Sequence, residues 1–313
     1  MNTTANPLLD FSDLPRFDQI QPEHVKPAIT QLLADGRALI ERLTGDATPA
    51  TWGDFAGALA DGLEGFGRAW GVVGHLHSVN DVPAWREAYN EMLPEVSRFY
   101  TELGQNLKLF DKYRALQADF GHFSGLTAEQ QKVIRNEIRD FRLGGAELPE
   151  AQKPRFQAIM EELSQLSAKF SENLLDATNA FAEIVTDEAQ LAGLPDYAKD
   201  AAREVAQKAG VGGWKFTLHA PSYGPLMQYA ENRELRARMY RAYATRAAEI
   251  DNGYSKPEWD NGPLMKRILE LRKEDAKMLG FANFAEVSLY SKMADTPEQV
   301  LAFLRDMAKK AKP

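Results

Sequence analysis

Residues 214–246 read WKFTLHAPSYGPLMQYAENRELRARMYRAYATR and change from a strand pattern to a helix pattern within a short distance. The first part alternates apolar and polar side chains, which predicts an amphipathic strand with Trp214, Phe216 and Leu218 on one face. The pair Ala220-Pro221 then predicts an abrupt turn into a helix. We expect the apolar face of the strand to lie against a core.

The helical pattern continues after this turn and through most of the chain. Leu235, Met239 and Tyr243 recur at every fourth position, and this spacing predicts a helix face that packs on a core. Most of the remaining sequence has helical periodicity as well. The predicted fold class is therefore mainly α, with a small β element near 181–186 and 214–219, where two short strands are placed to pair.

Prolines, capping residues and glycines mark the ends of the predicted helices. Thr127 and Gln130 have the spacing of a capping box. The glycine-rich segment 61–80 predicts a helix that packs closely on its neighbours. The third predicted helix runs from Pro83 to Phe110. The predicted helices begin near Pro22, Thr51, Pro83, Thr127, Pro149, Pro195, Pro221, Pro263, Asn283 and Thr296.

The composition is that of a globular protein with a negative net charge. The chain has 313 residues, 44% of them apolar, and a formal net charge of −8. This charge argues against nucleic acid or an anionic membrane as the general partner. No apolar run predicts a membrane span, and the N-terminus lacks a secretory signal pattern. The absence of cysteine excludes thiolate metal sites and suits a cytoplasmic location.

The spacing of the histidines does not match a metal-binding motif. In HExxH, two histidines one helical turn apart bind zinc, and no histidine here has another four residues away. His75 and His77 form a close pair, but on a helix they point in nearly opposite directions. We weigh a metal-ligand pair against histidines on separate helix faces and favour the second. The histidines are His24, His75, His77, His122 and His219.

The arginines in the second half of the opening segment allow two interpretations. They form either a patch that grips a peptide carboxylate in bidentate fashion, or a solvated helix face paired with Glu231, Glu234 and Glu249. We favour the paired face. The arginines concerned are Arg233, Arg236, Arg238, Arg241 and Arg246.

Three further groups of residues are weighed in the same way. Tyr223 and Gly224 belong either to a mobile segment beside a channel or to a simple strand-to-helix corner, and we favour the corner. The acidic pairs Glu161-Glu162 and Glu274-Asp275 have basic neighbours, so we interpret them as solubilising charge on helix surfaces and not as acid/base dyads. Phosphate-loop and serine-hydrolase motifs are absent from the sequence.

Long stretches of the sequence resemble the thimet oligopeptidase family of zinc metallopeptidases. Residues 221–247 read PSYGPLMQYAENRELRARMYRAYATRA, and residues 259–304 read WDNGPLMKRILELRKEDAKMLGFANFAEVSLYSKMADTPEQVLAFL. Residues 6–29, NPLLDFSDLPRFDQIQPEHVKPAI, and residues 174–195, LLDATNAFAEIVTDEAQLAGLP, are similar to the same family. The resemblance thus runs in order along nearly the whole chain.

This resemblance implies a mainly helical fold of two lobes that flank a deep channel, with short peptides as substrates and zinc as the cofactor of the full-length enzyme. In the family, HExxH on a helix binds the metal and supplies the base that activates its water. That motif lies downstream of the WDN and KMA segments, and this sequence does not contain it. We therefore assign no catalytic, cofactor-binding or metal residue in this chain and expect it to bind no zinc.

The chain is accordingly interpreted as the N-terminal portion of a zinc-dependent metalloendopeptidase that hydrolyses short peptides in the cytoplasm and is inactive alone. Its expected partners are short peptides and a C-terminal catalytic domain. We predict an extended arm over 1–20, helical hairpins over 21–145, and over 146–313 a long helix, the small sheet and helices leading towards the catalytic domain. The alternative is a non-catalytic helical module that binds peptides or other partners.

Overall fold

The computed structural model describes residues 6–312 and confirms the mainly α fold class. The first residues of the predicted arm and the final proline lie outside the described residues. Among residues 6–312, no helix combines the length and the apolar character that crossing a membrane requires. The helices and strands are α1 Val25–Thr44, α2 Ala58–Val79, α3 Pro83–Gly104, α4 Leu107–Ala118, α5 Phe120–Ser124, α6 Ala128–Leu143, α7 Lys153–Ala180, β1 Glu183–Val185, α8 Asp196–Lys208, β2 Trp214–Phe216, α9 Ala220–Tyr229, α10 Arg233–Ala244, α11 Gly262–Met278, α12 Phe284–Leu289 and α13 Pro297–Ala311.

Local capping signals place several helix ends where the sequence predicts them. The capping box before α6 forms: the Thr127 hydroxyl accepts from the Gln130 amide at 3.3 Å, and the Gln130 side chain accepts from the Thr127 amide at 3.0 Å. Asn283 and Thr296 cap α12 and α13 through their side chains. These bonds satisfy amides that have no acceptor within the helix.

Two predicted helices are each divided by an asparagine. The helix predicted from Pro83 to Phe110 ends at Gly104, because the Asn106 side chain accepts from the Leu109 amide at 3.0 Å and starts α4. In the same way, the Asn232 side chain accepts from the Leu235 amide at 3.1 Å and separates α10 from α9. Asparagine competes well for backbone amides, so it favours a new helix start over continuation.

The apolar stripe of α10 is only partly buried. Leu235 and Met239 are fully buried, as predicted, but Tyr243 is 39% exposed, so the prediction that it faces a core is wrong. Its ring instead stacks on Tyr223 from α9. At the third position of the stripe, Tyr243 therefore makes an aromatic contact near the surface and does not pack in the core.

Among the described residues, one compact unit contains 6–165 together with 270–312. In it α1 packs on α2 and α3, and α4 packs on α6. The predicted close packing of the glycine-rich helix is present at Gly62, where an added methyl group would lie 2.4 Å from Leu39 Cδ2. Leu8 and Ile20 of the predicted arm are buried in the same core. The buried face of α1 consists of Val25, Ala28, Ile29, Leu33, Gly36, Ile40 and Leu43.

The other compact unit, residues 166–269, contains the small sheet. Strands β1 and β2 pair antiparallel with Val185 opposite Trp214, which confirms the predicted β element with shorter strands. Trp214, Phe216 and Leu218 are all buried, as their alternation predicts. Helix α8 packs on β2, and their apolar side chains join those of α9 and α10 in one core.

Gly213 sets the start of β2. Its φ of +80° is a conformation that side-chain-bearing residues rarely adopt, and a Cβ atom there would lie 2.2 Å from the carbonyl oxygen of Val185. That oxygen belongs to the backbone of the paired strand and cannot move away without breaking the sheet. Gly210, in the same connection, also has a positive φ of +69°, but open space surrounds its Cα.

We predict that Gly213→Ala destabilises the chain more than Gly210→Ala. A positive φ alone costs about 1–2 kcal/mol for a residue with a side chain, and only the Gly213 variant adds a clash with backbone. The unfolding free energies of both variants, measured in urea with tryptophan fluorescence, test this difference. Equal losses of stability would show that the close approach to Val185 does not constrain β2.

Candidate functional site

The two close histidines are on different sides of α2 and contact different aromatic rings. The His77 ring stacks on Tyr89 at 4.3 Å between centroids, with the rings nearly parallel. The His75 ring meets the edge of Phe17 at 5.5 Å. The pair therefore behaves as two separate packing residues, in line with the favoured interpretation.

The remaining histidines are also dispersed. His24 accepts a hydrogen bond from the Gln21 amide at 3.0 Å, and His122 accepts one from the Trp52 amide at 3.1 Å. His219 is an exposed residue that precedes α9. Within residues 6–312, no three side chains of the His, Asp and Glu types converge on a point where a metal ion could be held. The side chains of this described range do not fit a zinc site.

The first residue of the acidic pair on α7, Glu161, is part of a surface ion-pair network. Glu161 accepts from Arg98 Nε at 3.1 Å and from the Gln157 amide group at 3.0 Å, and both Glu161 and Glu162 are half-buried. The arginine and the glutamine thus occupy the Glu161 carboxylate with structural hydrogen bonds. This agrees with the interpretation as structural charge.

The interpretation of the acidic pair on α11 as surface charge is wrong for one of its two residues, Asp275. Glu274 binds Arg155 through two hydrogen bonds of 2.6 Å. Asp275 is only 4% exposed, and its Oδ1 has no hydrogen-bond partner among the described residues. Burial raises the pKa of Asp275 from its ordinary value of 3.8 to about 6.

The burial of Asp275 has a signal in the sequence. Leu264, Ile268 and Leu271 mark the inner face of α11, and Asp275 continues this series at helical spacing. The basic neighbours in sequence suggested a surface position, whereas the periodicity places Asp275 on the apolar stripe. Periodicity was the better guide here.

We predict that Asp275→Asn stabilises the chain at pH 7 and has little effect at pH 4. The raised pKa means that the folded chain holds the Asp275 proton more tightly than the unfolded chain. The folding stability that the original chain has with Asp275 protonated is fully present below pH 3.8 and is lost as the pH rises through about 6. A shift of this size corresponds to at most about 3 kcal/mol. Urea unfolding at several pH values measures the difference between variant and original chain.

The neighbouring Glu274→Gln variant is the matched control for this prediction. It removes an ion pair whose side chains are 43% and 40% exposed, which stabilises a protein by about 0–1 kcal/mol at most. We therefore expect a slight loss of stability for Glu274→Gln at pH 7. A difference between Asp275→Asn and the original chain that does not change between pH 4 and 7 would contradict the raised pKa.

Two arginines of α10 have structural partners that the sequence did not predict. Arg238 binds Glu183 of β1 through Nε at 2.9 Å and Nη2 at 2.7 Å, and Arg236 donates to the carbonyl oxygen of Ala230. Arg233 and Arg241 are exposed, and no ion pair or hydrogen bond of their side chains is present among the described residues. The predicted pairing with Glu231, Glu234 and Glu249 is absent from this part of the chain.

Arg246 differs from the other four arginines of residues 233–246 because its guanidinium lies over an aromatic ring. Its guanidinium carbon lies 3.7 Å from the centroid of the Tyr243 ring. Its Nε donates to the Tyr243 carbonyl oxygen at 2.9 Å, and its Nη1 donates to the Thr178 hydroxyl at 3.0 Å. The Tyr223 ring stacks on Tyr243 at 4.3 Å between centroids. An arginine and two tyrosines thus form one stack, with Thr178 at its side.

The stack lies in a tyrosine-rich environment. Tyr240 is 61% exposed, and the Tyr254 hydroxyl donates to the Ala242 carbonyl oxygen. Burial raises the pKa of Tyr223, the neighbouring Tyr243 and Tyr240 add to the rise, and the charge of Arg246 opposes it. Tyr223 therefore stays protonated at neutral pH and keeps its hydroxyl proton.

Tyr223 and Gly224 lie within the first turns of α9. The corner itself is formed by His219, whose carbonyl oxygen accepts from the Tyr223 amide at 2.9 Å. Ser222 secures the corner because its hydroxyl accepts from the Thr217 amide at 2.9 Å. The geometry agrees with the favoured corner interpretation, and it also makes Tyr223 part of the stack.

Comparison with known proteins places the chain in a family. The model of the neurolysin/thimet oligopeptidase N-terminal domain matches residues 29–153, and the model of peptidase family M3 matches residues 226–313. Oligopeptidase A of Salmonella typhimurium and that of Escherichia coli are each 44% identical over 309 residues, which cover 99% of this chain and 45% of theirs. A probable cytosolic oligopeptidase A of Arabidopsis thaliana is 36% identical over 311 residues, covering 96% of this chain and 43% of its own.

These matches extend along nearly the whole chain, but the chain spans less than half the length of the curated relatives it matches. The two family models match separate regions, one in each half of the chain. They agree with the helical architecture and with the resemblance of the quoted sequence stretches. The chain belongs to peptidase family M3, the thimet oligopeptidase family.

Proposed function

We propose that this chain is the N-terminal portion of a zinc-dependent oligopeptidase that hydrolyses short peptides in the cytoplasm. The observation that carries the proposal is the match of 99% of the chain to only 45% of oligopeptidase A from several bacteria. The N-terminal domain model matches residues 29–153, which supports the assignment to the N-terminal side. The name of the Arabidopsis relative, a probable cytosolic protein, supports the location.

In this proposal zinc is held by residues outside the chain. Residues 6–312 contain no convergent set of metal-ligating side chains, so the metal does not fit here and no catalytic step is assigned to a residue of this chain. The chain contributes walls of a substrate channel. It consists of three proposed sections: an extended arm over 1–20, helical hairpins over 21–145, and the long helix, small sheet and later helices over 146–313. Its partners are short peptides and the catalytic domain.

The surface of α13 supports a continuation of the fold beyond these residues. Its apolar positions Leu301, Phe303, Leu304 and Met307 are each between 45% and 64% exposed. An amphipathic helix normally buries its apolar face against another element. We propose that the catalytic domain covers this face in the longer protein.

Reading the gene beyond codon 313 tests the proposal directly. A continuing frame that encodes HExxH and a downstream glutamate is the expected result. A stop codon would replace the proposal with the alternative of a non-catalytic helical module that binds peptides. That module would show affinity for extended peptides without hydrolysis.

We predict that the pure chain 1–313 does not hydrolyse short peptides, with or without added zinc. The reason is that HExxH is absent and no other metal-binding group exists within residues 6–312. An internally quenched fluorescent peptide provides the assay, and Escherichia coli oligopeptidase A provides the positive control. Zinc-dependent turnover that stays with the chain through successive purification steps would refute this prediction.

We further predict that the isolated chain self-associates through α13 and that Leu304→Glu reduces this association. Leu304 lies at the centre of the apolar face, where a charge opposes burial. Ala302→Glu is the matched control, because it introduces the same charge on the opposite face of the same helix. Sedimentation at several concentrations measures the association. An original chain that stays monomeric at all concentrations would contradict the prediction.

A further inference from the structure

The guanidinium of Arg246 is fixed in position before any ligand binds. It is held by the Tyr243 ring at 3.7 Å, by the Tyr243 carbonyl oxygen at 2.9 Å and by the Thr178 hydroxyl at 3.0 Å. Thr178 lies on α7, is only 7% exposed and donates to the Leu174 carbonyl oxygen at 2.7 Å, so its hydroxyl is itself fixed. A long side chain that is already ordered loses little conformational entropy when it binds a ligand.

Tyr243, which supports Arg246, is in turn supported from its other side. The Tyr223 ring lies 4.3 Å away with an angle of 17° between the rings. A ring and a guanidinium at these distances cannot share one face of Tyr243, so they must occupy opposite faces. Helices α7, α9 and α10 therefore all contribute to the position of one cation.

The positive charge of Arg246 has no carboxylate to neutralise it within residues 6–312. Arg238 binds Glu183 and Arg155 binds Glu274, each through two hydrogen bonds, so paired arginines occur in the same chain. A guanidinium has five N–H donors in a planar fork. The two hydrogen bonds of Arg246 leave the rest of its fork, including Nη2, for a ligand.

The surroundings of this fork suit the end or a side chain of a peptide. Tyr243 carries the guanidinium on one face and the Tyr223 ring on the other, and Tyr240 of the same helix is 61% exposed. Carboxylates match the planar fork of an arginine and form charge-assisted hydrogen bonds with it. Tyrosine rings provide contact area at low entropic cost.

We propose that Arg246, stacked on Tyr243 and tethered to Thr178, binds a carboxylate of a peptide, either the C-terminal carboxylate or an acidic side chain. The choice of a peptide as the ligand rests on the proposed function. The favoured sequence interpretation, a face paired with nearby glutamates, does not describe Arg246, and Arg238 pairs with the distant Glu183 instead. The competing view is that Arg246 only stabilises the C-terminal end of α10 through the Tyr243 carbonyl oxygen.

Calorimetric titration of chain 1–313 with two peptides tests the proposal. One is N-acetyl-tetraalanine with a free C-terminal carboxylate, and the other is its C-terminal amide. If the C-terminal carboxylate is the ligand, we expect the free acid to bind at least about tenfold more tightly than the amide, as charge-assisted bonds of this kind allow. Arg246→Gln should abolish this preference.

Arg241→Gln is the matched control. It removes the same charge from an exposed arginine that has no side-chain partner among the described residues, and it should keep the preference of the original chain. Arg246→Lys keeps the positive charge but loses the planar fork, so we expect it to lose most of the preference. Circular dichroism confirms that each variant is folded, and a helix-stabilising role alone would leave the ligand preference unchanged.

An amidated peptide with one internal glutamate distinguishes the two sources of the carboxylate. If this peptide binds like the free acid, a side chain serves as well as the C-terminus. If only the free acid binds tightly, the site is specific for the C-terminal carboxylate. If only the glutamate peptide binds tightly, the site is specific for acidic side chains. Each result supports the proposal when Arg246→Gln removes the binding.

Nuclear magnetic resonance of the arginine Nε–H groups gives a readout that does not depend on affinity alone. The Arg246 signal, identified by its loss in Arg246→Lys, should shift when a carboxylate peptide binds and should not shift with the neutral amide. Thr178→Val removes one tether but keeps the cation, so it should weaken the binding without abolishing the shift. An unchanged Arg246 signal at saturation would overturn the proposal.

Three other results would overturn the inference. They are equal binding of all peptides by the original chain, no binding of any peptide, and an unchanged carboxylate preference in Arg246→Gln. None of these results bears on the proposed oligopeptidase function, because gene sequence and turnover test that function separately. A stop codon after residue 313 together with an Arg246-dependent preference would keep the carboxylate site and reject the enzyme.

Discussion

The first-turn amides of a helix need acceptors that the helix itself cannot supply, and this requirement determines where many helices of this chain begin. Polar side chains meet this requirement repeatedly by accepting from the amide three residues further on. They are Thr51, Asn106, Asp119, Thr127, Asn232, Asn283 and Thr296. A chain rich in helical periodicity is thereby divided into helices of defined length. Without the caps that Asn106 and Asn232 form, α3 would continue into α4 and α9 into α10.

A second polar constraint fixes the connection that contains Arg246. Asn173 and Asn261 are buried and hydrogen-bonded through their side chains at 3.0 Å, and Asn261 also donates to the Phe170 carbonyl oxygen at 3.1 Å. The Asn261 amide donates to the Ala247 carbonyl oxygen at 2.9 Å. These bonds satisfy buried amide groups that would otherwise cost stability, although Asn173 Oδ1 has no partner among the described residues. The residue that follows Arg246 is thus tied to the start of α11.

Ala247 itself shows how firmly this connection is specified. Its φ of +49° is a conformation that non-glycine residues seldom adopt. The burial of its side chain and the hydrogen bond from Asn261 hold it there. Ala247 directly follows Arg246, whose side chain contacts Tyr243 and Thr178. A cation positioned by a hydrogen-bond network on one side and an aromatic stack on the other needs no ligand to order it.

The features that the sequence predicted are those that depend on neighbours within a few residues. The alternation of Trp214, Phe216 and Leu218 predicted their burial, and the Thr127 capping box predicted the start of α6. Contacts between distant segments could not be predicted in this way. Glu183 and Arg238 are 55 residues apart, and Thr178 and Arg246 are 68 apart. Spacing along the sequence indicates nearby glutamates as partners of the arginines. In the folded chain the partners Glu183 and Thr178 come from distant segments instead.

The arginines after β2 show why residue type and spacing cannot define a binding site. Arg233 and Arg241 are exposed, Arg236 binds backbone, Arg238 pairs with an acid, and Arg246 stacks on a ring. All five share one short segment and one charge, and membership of peptidase family M3 does not distinguish among them. What distinguishes Arg246 is that three elements hold it while no acid neutralises it among the described residues. A cationic side chain that is held in position but not paired with an acid is what we expect in a site that binds an anion from outside the chain.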